Sequence, residues 1–213
     1  MIIAVAAGQK RKRETRNGGE LPGYYYRLPA RAQRIWLKSD SIVRFDLVPD
    51  TVTLSLTAGL IAALPSGAPL SIERAAQALT DQICRLLSVH AVRIEVRGVR
   101  PHNTRGELHG IFYPKGPTAR PGAPLIILWM RTAQRHDVVK PRTFLRTLMH
   151  ELGHYLDYAL LRLDESFHTS GFFRRESFLV RILFPTESEV PHKDSQQMAQ
   201  STINFPSVPP KTH

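Results

Sequence analysis

The sequence predicts an α+β domain with one core, because apolar residues recur at helical spacing, then in short strand-like runs, then at helical spacing again. Three strand candidates lie at 92–99, 107–113 and 125–131, separated by segments rich in proline and glycine. A long helix from Pro141 and a last helix over 171–184 follow. We therefore expect a small, mostly antiparallel sheet packed on a long helix with flanking helices. A helix directly before the strands is marked by Ile72, Ala75, Ala76, Leu79, Ile83, Leu86 and Leu87.

The ends of these helices are indicated by local residue types. Ser71 is expected to cap the helix over 72–87, because a serine side chain can accept hydrogen bonds from the free N–H groups at a helix start. Residues 52–64 fit a strand by alternation and a helix by wider spacing, and a helix is favoured. Pro141 suits the first turn of the long helix, where its missing N–H is not needed. The buried stripe of that helix is predicted to be Phe144, Leu148, Leu152, Tyr155, Ala159 and Leu163.

Composition divides the chain into a core and two tails. With 213 residues, 42% hydrophobic and 22% charged, the chain is expected to form one main domain over 24–184. Residues 1–23 are interpreted as a flexible basic arm, since residues 8–23 include the run Lys10-Arg11-Lys12-Arg13 and few bulky apolar side chains. Residues 185–213 are rich in proline and small polar residues and are interpreted as a disordered tail.

Charge and cysteine content narrow the environment and the partners. A formal net charge of +11 favours acidic partners, including nucleic acid. Cys84 is the single cysteine, so no disulfide can form within the chain, which suits a reducing compartment. The charges near the N-terminus follow the first apolar run, unlike those of a signal peptide, and no stretch reaches about 18 apolar residues. A cytoplasmic protein with no membrane partner is expected.

Residues 150–154 read His-Glu-Leu-Gly-His inside the predicted long helix. Residues four apart lie one above the other on a helix, so His150 and His154 can reach one zinc ion at roughly 2.0–2.1 Å. Glu151 lies to the side of this pair, where its carboxylate can act on a water without occupying the metal. Zinc lowers the pKa of such a water toward roughly 7, and Glu151 would then serve as the general base of a hydrolysis.

A catalytic zinc site needs a third protein ligand, and two residues compete for that role. His168 follows His154 by fourteen residues in a loop that can fold back over the ligand face, and it is favoured. Glu176, on the last helix, is the alternative ligand, or orients a ligand if His168 binds. Asp157 lies one turn beyond His154 and is a candidate acceptor for the second N–H of a ligand histidine. The candidates for stabilising a tetrahedral intermediate are Tyr113, Tyr155 and Tyr158.

The helix motif His150-Glu151-Leu152-Gly153-His154 resembles that of zincin metallopeptidases. The segment His168-Thr169-Ser170-Gly171-Phe172 is similar to the His-Gly-x-x-Phe segment of SprT-like proteases. This resemblance implies a minimal zincin-like fold, zinc ligands His150, His154 and His168, and Glu151 as the catalytic base. It also implies that a strand near the site, here 125–130, pairs with the extended substrate backbone.

The sequence therefore favours a zinc-dependent metallopeptidase that acts on proteins or peptides, including proteins associated with nucleic acid. One alternative is a regulatory zincin module that acts on one specific protein partner. The other is a non-catalytic, basic nucleic-acid-binding protein whose main contact is the N-terminal arm.

Overall fold

A computed structural model describes residues 21–103, 106–117 and 122–184. The predicted tail and all but the last three residues of the predicted arm lie outside them. The described helices are α1 (Ala30–Ser41), α2 (Thr51–Ala63), α3 (Pro69–Leu86), α4 (Pro141–Ala159) and α5 (Ser170–Leu183). The described strands are β1 (Arg93–Val99), β2 (His102–Asn103), β3 (Gly106–Glu107), β4 (Gly110–Tyr113) and β5 (Leu125–Arg131). The α+β class is confirmed.

The main sheet has the order β1-β5-β4, with β1 parallel and β4 antiparallel to β5. The expectation of a mostly antiparallel sheet was wrong, because the longer of its two strand pairings is the parallel one. The chain leaves β1, forms the antiparallel pair β2-β3 and then β4, and returns β5 between β1 and β4. The predicted strand over 107–113 is divided between β3 and β4, because Glu107 pairs with β2 whereas residues 110–113 pair with β5.

Strand β5 is buried along six of its seven residues, so its apolar run does not alternate with polar residues. One face of β5 joins the main core through Ile126, Leu128 and Met130. The opposite face forms a smaller cluster in which Ile127 and Trp129 pack with Leu125. The helices α2, α3, α4 and α5 all contribute to the main core, which fixes α4 against the β4–β5 side of the sheet.

Helices α2 and α3 differ from the predicted ones mainly at their starts. The favoured helix over 52–64 is confirmed as α2, whose first turn is capped by the Asp50 carboxylate accepting from the Thr53 N–H at 2.8 Å. Helix α3 begins at Pro69, so Ser71 lies inside its first turn and is not the cap. Proline at a first helical position supplies a suitable φ angle without losing a needed hydrogen bond.

Helix α4 begins at Pro141, as predicted, and runs to Ala159. From the expected stripe, Phe144, Leu148 and Leu152 are each at most 1% exposed. Leu163 is also buried, but it lies in the loop after the helix, where it belongs to a separate cluster around α1.

Helix α1 was not predicted, although its buried residues Ala32, Ile35, Trp36 and Ser39 have the i, i+3, i+4, i+7 spacing of a helix. It packs against the loop between α4 and α5 through Leu163 and Phe167. Within the described ranges, no helix combines the length and the apolar character needed to span a membrane.

Candidate metal centre

Helix α4 presents His150 and His154 on the same side, one turn apart, with ring centroids 4.9 Å from each other. The apolar stripe of α4 is held in the core, so the direction of both imidazoles is fixed by packing on the opposite side of the helix. Gly153 leaves space for Phe172, whose ring stacks on His154 with centroids 4.6 Å apart.

The loop after α4 brings His168 to this pair. The His168 Nε2 atom lies 3.0 Å from His154 Nε2 and 3.0 Å from His150 Nε2. Ligand atoms of the three histidines all lie within 4.8 Å of one another. These histidines are here called the histidine triad.

Glu176, the alternative third ligand, lies behind His150. Its Oε2 atom is 2.9 Å from His150 Nδ1, the ring nitrogen directed away from the triad. Its other oxygen accepts from Arg146 Nε at 2.6 Å. Burial opposes ionisation of Glu176, but the hydrogen bonds from His150 and Arg146 outweigh it and lower the pKa of this carboxyl. Glu176 therefore orients His150, as a carboxylate behind a ligand histidine does.

Asp157 supports His154 through an intervening residue instead of contacting it directly. Ser166 Oγ donates to Asp157 Oδ2 at 2.7 Å and lies 2.7 Å from His154 Nδ1. Asp157 Oδ1 accepts from Arg175 Nη2 at 2.7 Å, and both side chains are at most 1% exposed. Burial raises the pKa of Asp157, while Arg175 and Ser166 act in the opposite direction.

These partners determine where the ring protons lie. The Glu176 carboxylate can only accept, so neutral His150 carries its proton on Nδ1. The single Ser166 hydroxyl proton goes to Asp157, so Ser166 accepts from His154 Nδ1–H. Both Nε2 atoms therefore direct a lone pair into the triad.

The same residues fit a cation at the triad. One proton on His168 Nε2 can fully satisfy one of the two facing lone pairs, and a cation bound by all three nitrogens satisfies every one. Burial, together with neighbouring His150, His168 and Arg175, lowers the pKa of His154 well below its ordinary value, which keeps that imidazole neutral and able to bind metal. Three histidine nitrogens are a donor set that suits zinc.

Glu151 lies beside His150 in a hollow of about 370 Å³, here called the Glu151 hollow. Its side chain comes so close to Gly110 that a Cβ there would lie 2.9 Å from Oε1, so the position requires glycine or a shift of Glu151. Burial raises the pKa of Glu151 to about 7, although His150 and the Phe112 N–H lower it. The hollow is lined by Glu107, His109, Gly110, Thr143, Arg146, Thr147, His150, Glu151 and Glu176.

The strand expected to pair with substrate is wrongly placed by the resemblance, because β5 is the central strand and has partners on both sides. In the described sheet, β4 is the strand beside α4 with one edge unpaired. Trp129 N–H donates to His109 O at 3.1 Å, so the backbone groups of the next residue, Gly110, point to that unpaired edge.

The three tyrosine candidates do not line the Glu151 hollow. Tyr155 donates its hydroxyl proton to His90 O at 2.6 Å, on the core side of α4. Tyr113 packs with the smaller cluster on the opposite face of the sheet, and the Tyr158 ring lies 5.9 Å from Phe112.

Helix α1 holds the loop that carries Ser166 and His168. Lys38 Nζ donates to Leu161 O at 3.0 Å, and Trp36 is 3% exposed within the cluster that includes Leu163 and Phe167. The C-terminal end of α1 also accepts from Arg175, through Ser39 O at 2.6 Å. The N-terminal part of the chain thereby contacts the residues behind His154.

Helix α5 meets α1 at Gly171. A Cβ on Gly171 would overlap the carbonyl oxygens of Ser39 and Asp40, so the two backbones can approach only with glycine here. The Gly171 N–H donates to Asp40 Oδ1 at 3.0 Å, and Thr169 Oγ1 caps the helix by accepting from Phe172 N–H.

Comparisons with models of known protein families, with curated proteins and with solved structures found no match to this chain.

Proposed function

We propose that the chain is a zinc-dependent metallopeptidase of the zincin type that hydrolyses peptide bonds in proteins or peptides. The observation that carries this proposal is the convergence of three histidine Nε2 atoms beside the Glu151 hollow. A structural zinc site is closed by four protein ligands, whereas three ligands leave a position for water, as catalysis requires. The zinc ligands are His150, His154 and His168, and Glu151 is the base.

The roles of the side chains follow from their positions. Zinc held by three histidines supplies a Lewis acid that lowers the pKa of a water toward about 7 and polarises the carbonyl group. Glu151 accepts the proton of the attacking water and later passes it to the leaving amine. Glu176 and Ser166 hold His150 and His154 in the tautomers that keep each Nε2 free.

The free edge of β4 is the proposed place for the substrate backbone. An extended peptide that adds to an exposed strand gains main-chain hydrogen bonds, and Gly110 offers its N–H and C=O there. The absence of a side chain at Gly110 lets the peptide approach Glu151 closely. A reducing compartment such as the cytoplasm is part of the proposal, and it is supported by Cys84, a single buried cysteine.

The experiment compares Glu151→Gln and His150→Ala with the wild-type protein. Zinc per chain is measured by elemental analysis, and cleavage of a peptide pool is read as new termini by mass spectrometry. Wild-type protein should contain one zinc and cleave. Glu151→Gln should retain zinc but lose cleavage by a factor of about 10²–10⁴, and His150→Ala should lose both.

Matched controls are Glu165→Gln and His102→Ala, since both residues are exposed and neither lines the Glu151 hollow. Both controls should keep zinc and cleavage. Unchanged turnover in Glu151→Gln would show that Glu151 is not the base. Wild-type protein that contains no zinc would contradict the proposed reaction.

A further inference from the structure

A second hollow, of about 550 Å³, lies along the exposed side of α5 and is here called the arginine groove. Its walls are one face of α5 and the segment that follows α1. It is lined by Val43, Arg44, Phe173, Arg174, Ser177, Phe178 and Arg181. The α5 residues in this set recur at helical spacing, so the groove follows the helix axis.

The arginine groove begins at the histidine triad. The Phe173 ring stacks on His168, with centroids 5.6 Å apart and an interplanar angle of 18°. At the same place Arg146, which lines the Glu151 hollow, donates to Ser177 Oγ in the groove at 3.4 Å. A chain that crosses the triad from the Glu151 hollow therefore enters the groove next.

The charge of the groove is unbalanced. Arg44, Arg174 and Arg181 are exposed, and no Asp or Glu lines the groove with them. Among the described residues, none of the three forms a salt bridge, whereas the nearby arginines Arg146 and Arg175 are each paired with a carboxylate. Three guanidinium groups on one surface, with no carboxylate partner among the described residues, attract carboxylates, which guanidinium groups can bind through two parallel hydrogen bonds.

Apolar surface accompanies this charge. Phe173 lies at the entrance of the groove, and 48% of its surface is exposed. The Arg181 guanidinium lies over the Phe178 ring at 5.9 Å, which leaves its edge available to an acceptor. The groove therefore offers ring surface and cationic groups together.

Resting on the proposed peptidase activity, we propose that the arginine groove binds an acidic segment of the peptide substrate on one side of the scissile bond. From Phe173 to Arg181 the helix rises about 12 Å, the length of three to four residues of extended peptide. The groove should therefore bind acidic residues that lie about two to five positions from the cleaved bond. The continuity with the triad and this short length favour a peptide over a nucleic acid, which needs a longer cationic track.

The binding test uses two fluorescein-labelled hexapeptides, Glu-Phe-Glu-Glu-Phe-Glu and the same peptide with glutamine for glutamate. Anisotropy is measured with zinc-loaded wild-type protein, with Arg174→Gln/Arg181→Gln, and with the control Arg34→Gln/Arg74→Gln. The control removes the same charge from exposed residues of α1 and α3. The acidic peptide should bind wild-type and control protein equally, bind the groove variant about fivefold more weakly, and lose affinity as salt rises.

The cleavage test incubates the same proteins with a peptide pool and identifies the new termini by mass spectrometry. Cleaved peptides should be enriched in Asp and Glu on one side of the new termini, and the groove variant should lose this enrichment while still cleaving. Equal binding of the acidic and glutamine peptides, or enrichment that survives in the groove variant, would overturn the proposal.

A labelled twelve-residue oligothymidine provides the third comparison. If wild-type protein bound it more tightly than the acidic peptide, and the groove variant lost that binding, the groove would be a nucleic-acid site and the proposal would be wrong. Because binding is measured apart from cleavage, a protein that binds the acidic peptide but never cleaves would refute the peptidase and leave the acidic specificity of the groove standing.

Discussion

Helix α4 and helix α1 contribute to the same site in different ways. Helix α4 supplies His150, Glu151 and His154 by spacing alone, so its contribution is local in sequence. Helix α1 supplies no residue of the triad, but it packs against the loop before His168 and accepts a hydrogen bond from Arg175. Two of the three triad histidines are thus specified by a short motif, whereas the surroundings of the triad depend on contacts between residues more than 120 positions apart.

The connection between the two helices is a chain of buried polar contacts. Arg175 donates to Ser39 O and Ile42 O at the end of α1 and to Asp157 on α4. Asp157 then accepts from Ser166, which orients His154. Substitutions along this chain of contacts separate the residues that support the fold from the residues that support the histidine triad.

The largest effect is expected from Arg175→Met. This change leaves the Asp157 carboxylate buried without its cation and leaves the carbonyl groups of α1 without a donor. Breaking a buried pair in this way costs about 3–5 kcal/mol of the free energy of unfolding. Urea denaturation of the metal-free protein measures the loss, and Arg174→Met, at the exposed neighbouring position, should change little.

If Arg175→Met does not fold, the double variant Arg175→Met/Asp157→Asn decides the matter. It contains neither buried charge, so it should recover part of the lost stability. An Arg175→Met protein as stable as Arg174→Met would show that α1 and α4 are not coupled through this pair.

A smaller and more specific effect is expected from Ser166→Ala. The His154 Nδ1–H loses its acceptor, so the ring is no longer held in the tautomer that keeps Nε2 free. Loss of such a supporting contact weakens metal binding by about 10–100-fold. Competition with a coloured zinc chelator measures the dissociation constant.

The matched control is Ser41→Ala, at the exposed end of α1, which should leave zinc affinity unchanged. Unchanged zinc affinity in Ser166→Ala itself would mean that the packing of Phe172 alone orients His154.

The helix pattern from Pro141, and with it the placement of His150 and His154 one turn apart, could be predicted because periodicity and helix-start residues are local signals. The supporting residues Ser166 and Arg175 could not, because each is defined by a partner on another element. Sequence reasoning placed Asp157 on the correct face but could not show that a serine would stand between it and His154.

The sheet shows the same limit. The three main runs were found, but strand order depends on which chain segment returns between which others. The sequence signal for the central position of β5 was its run of six apolar residues, because an uninterrupted apolar strand is typical of a central position with both faces covered. Helix α1 was missed although its spacing was regular, because a short amphipathic pattern is weak evidence without the surface it packs on.

The smallest effect is expected from Asp50→Ala, which sharpens the comparison by changing a helix that does not support the triad. Asp50 caps α2, and the loss of a cap should lower Tm by roughly 2–4 °C without changing zinc affinity. Hydrogen bonds from the Thr53 hydroxyl and N–H lower the pKa of Asp50, burial acts in the opposite direction, and Gln82 and Arg85 lower the pKa further. A lowered folded-state pKa gives stability that is present above the unfolded-state value near 3.8 and is lost as pH falls through the folded-state value. The Tm difference from wild type, measured by thermal denaturation, should therefore be full at pH 7 and shrink below about pH 4, while the exposed neighbour variant Asp46→Ala shows no such difference. Zinc binding weakened as much as in Ser166→Ala would show that support of the triad extends beyond α1 and the loop.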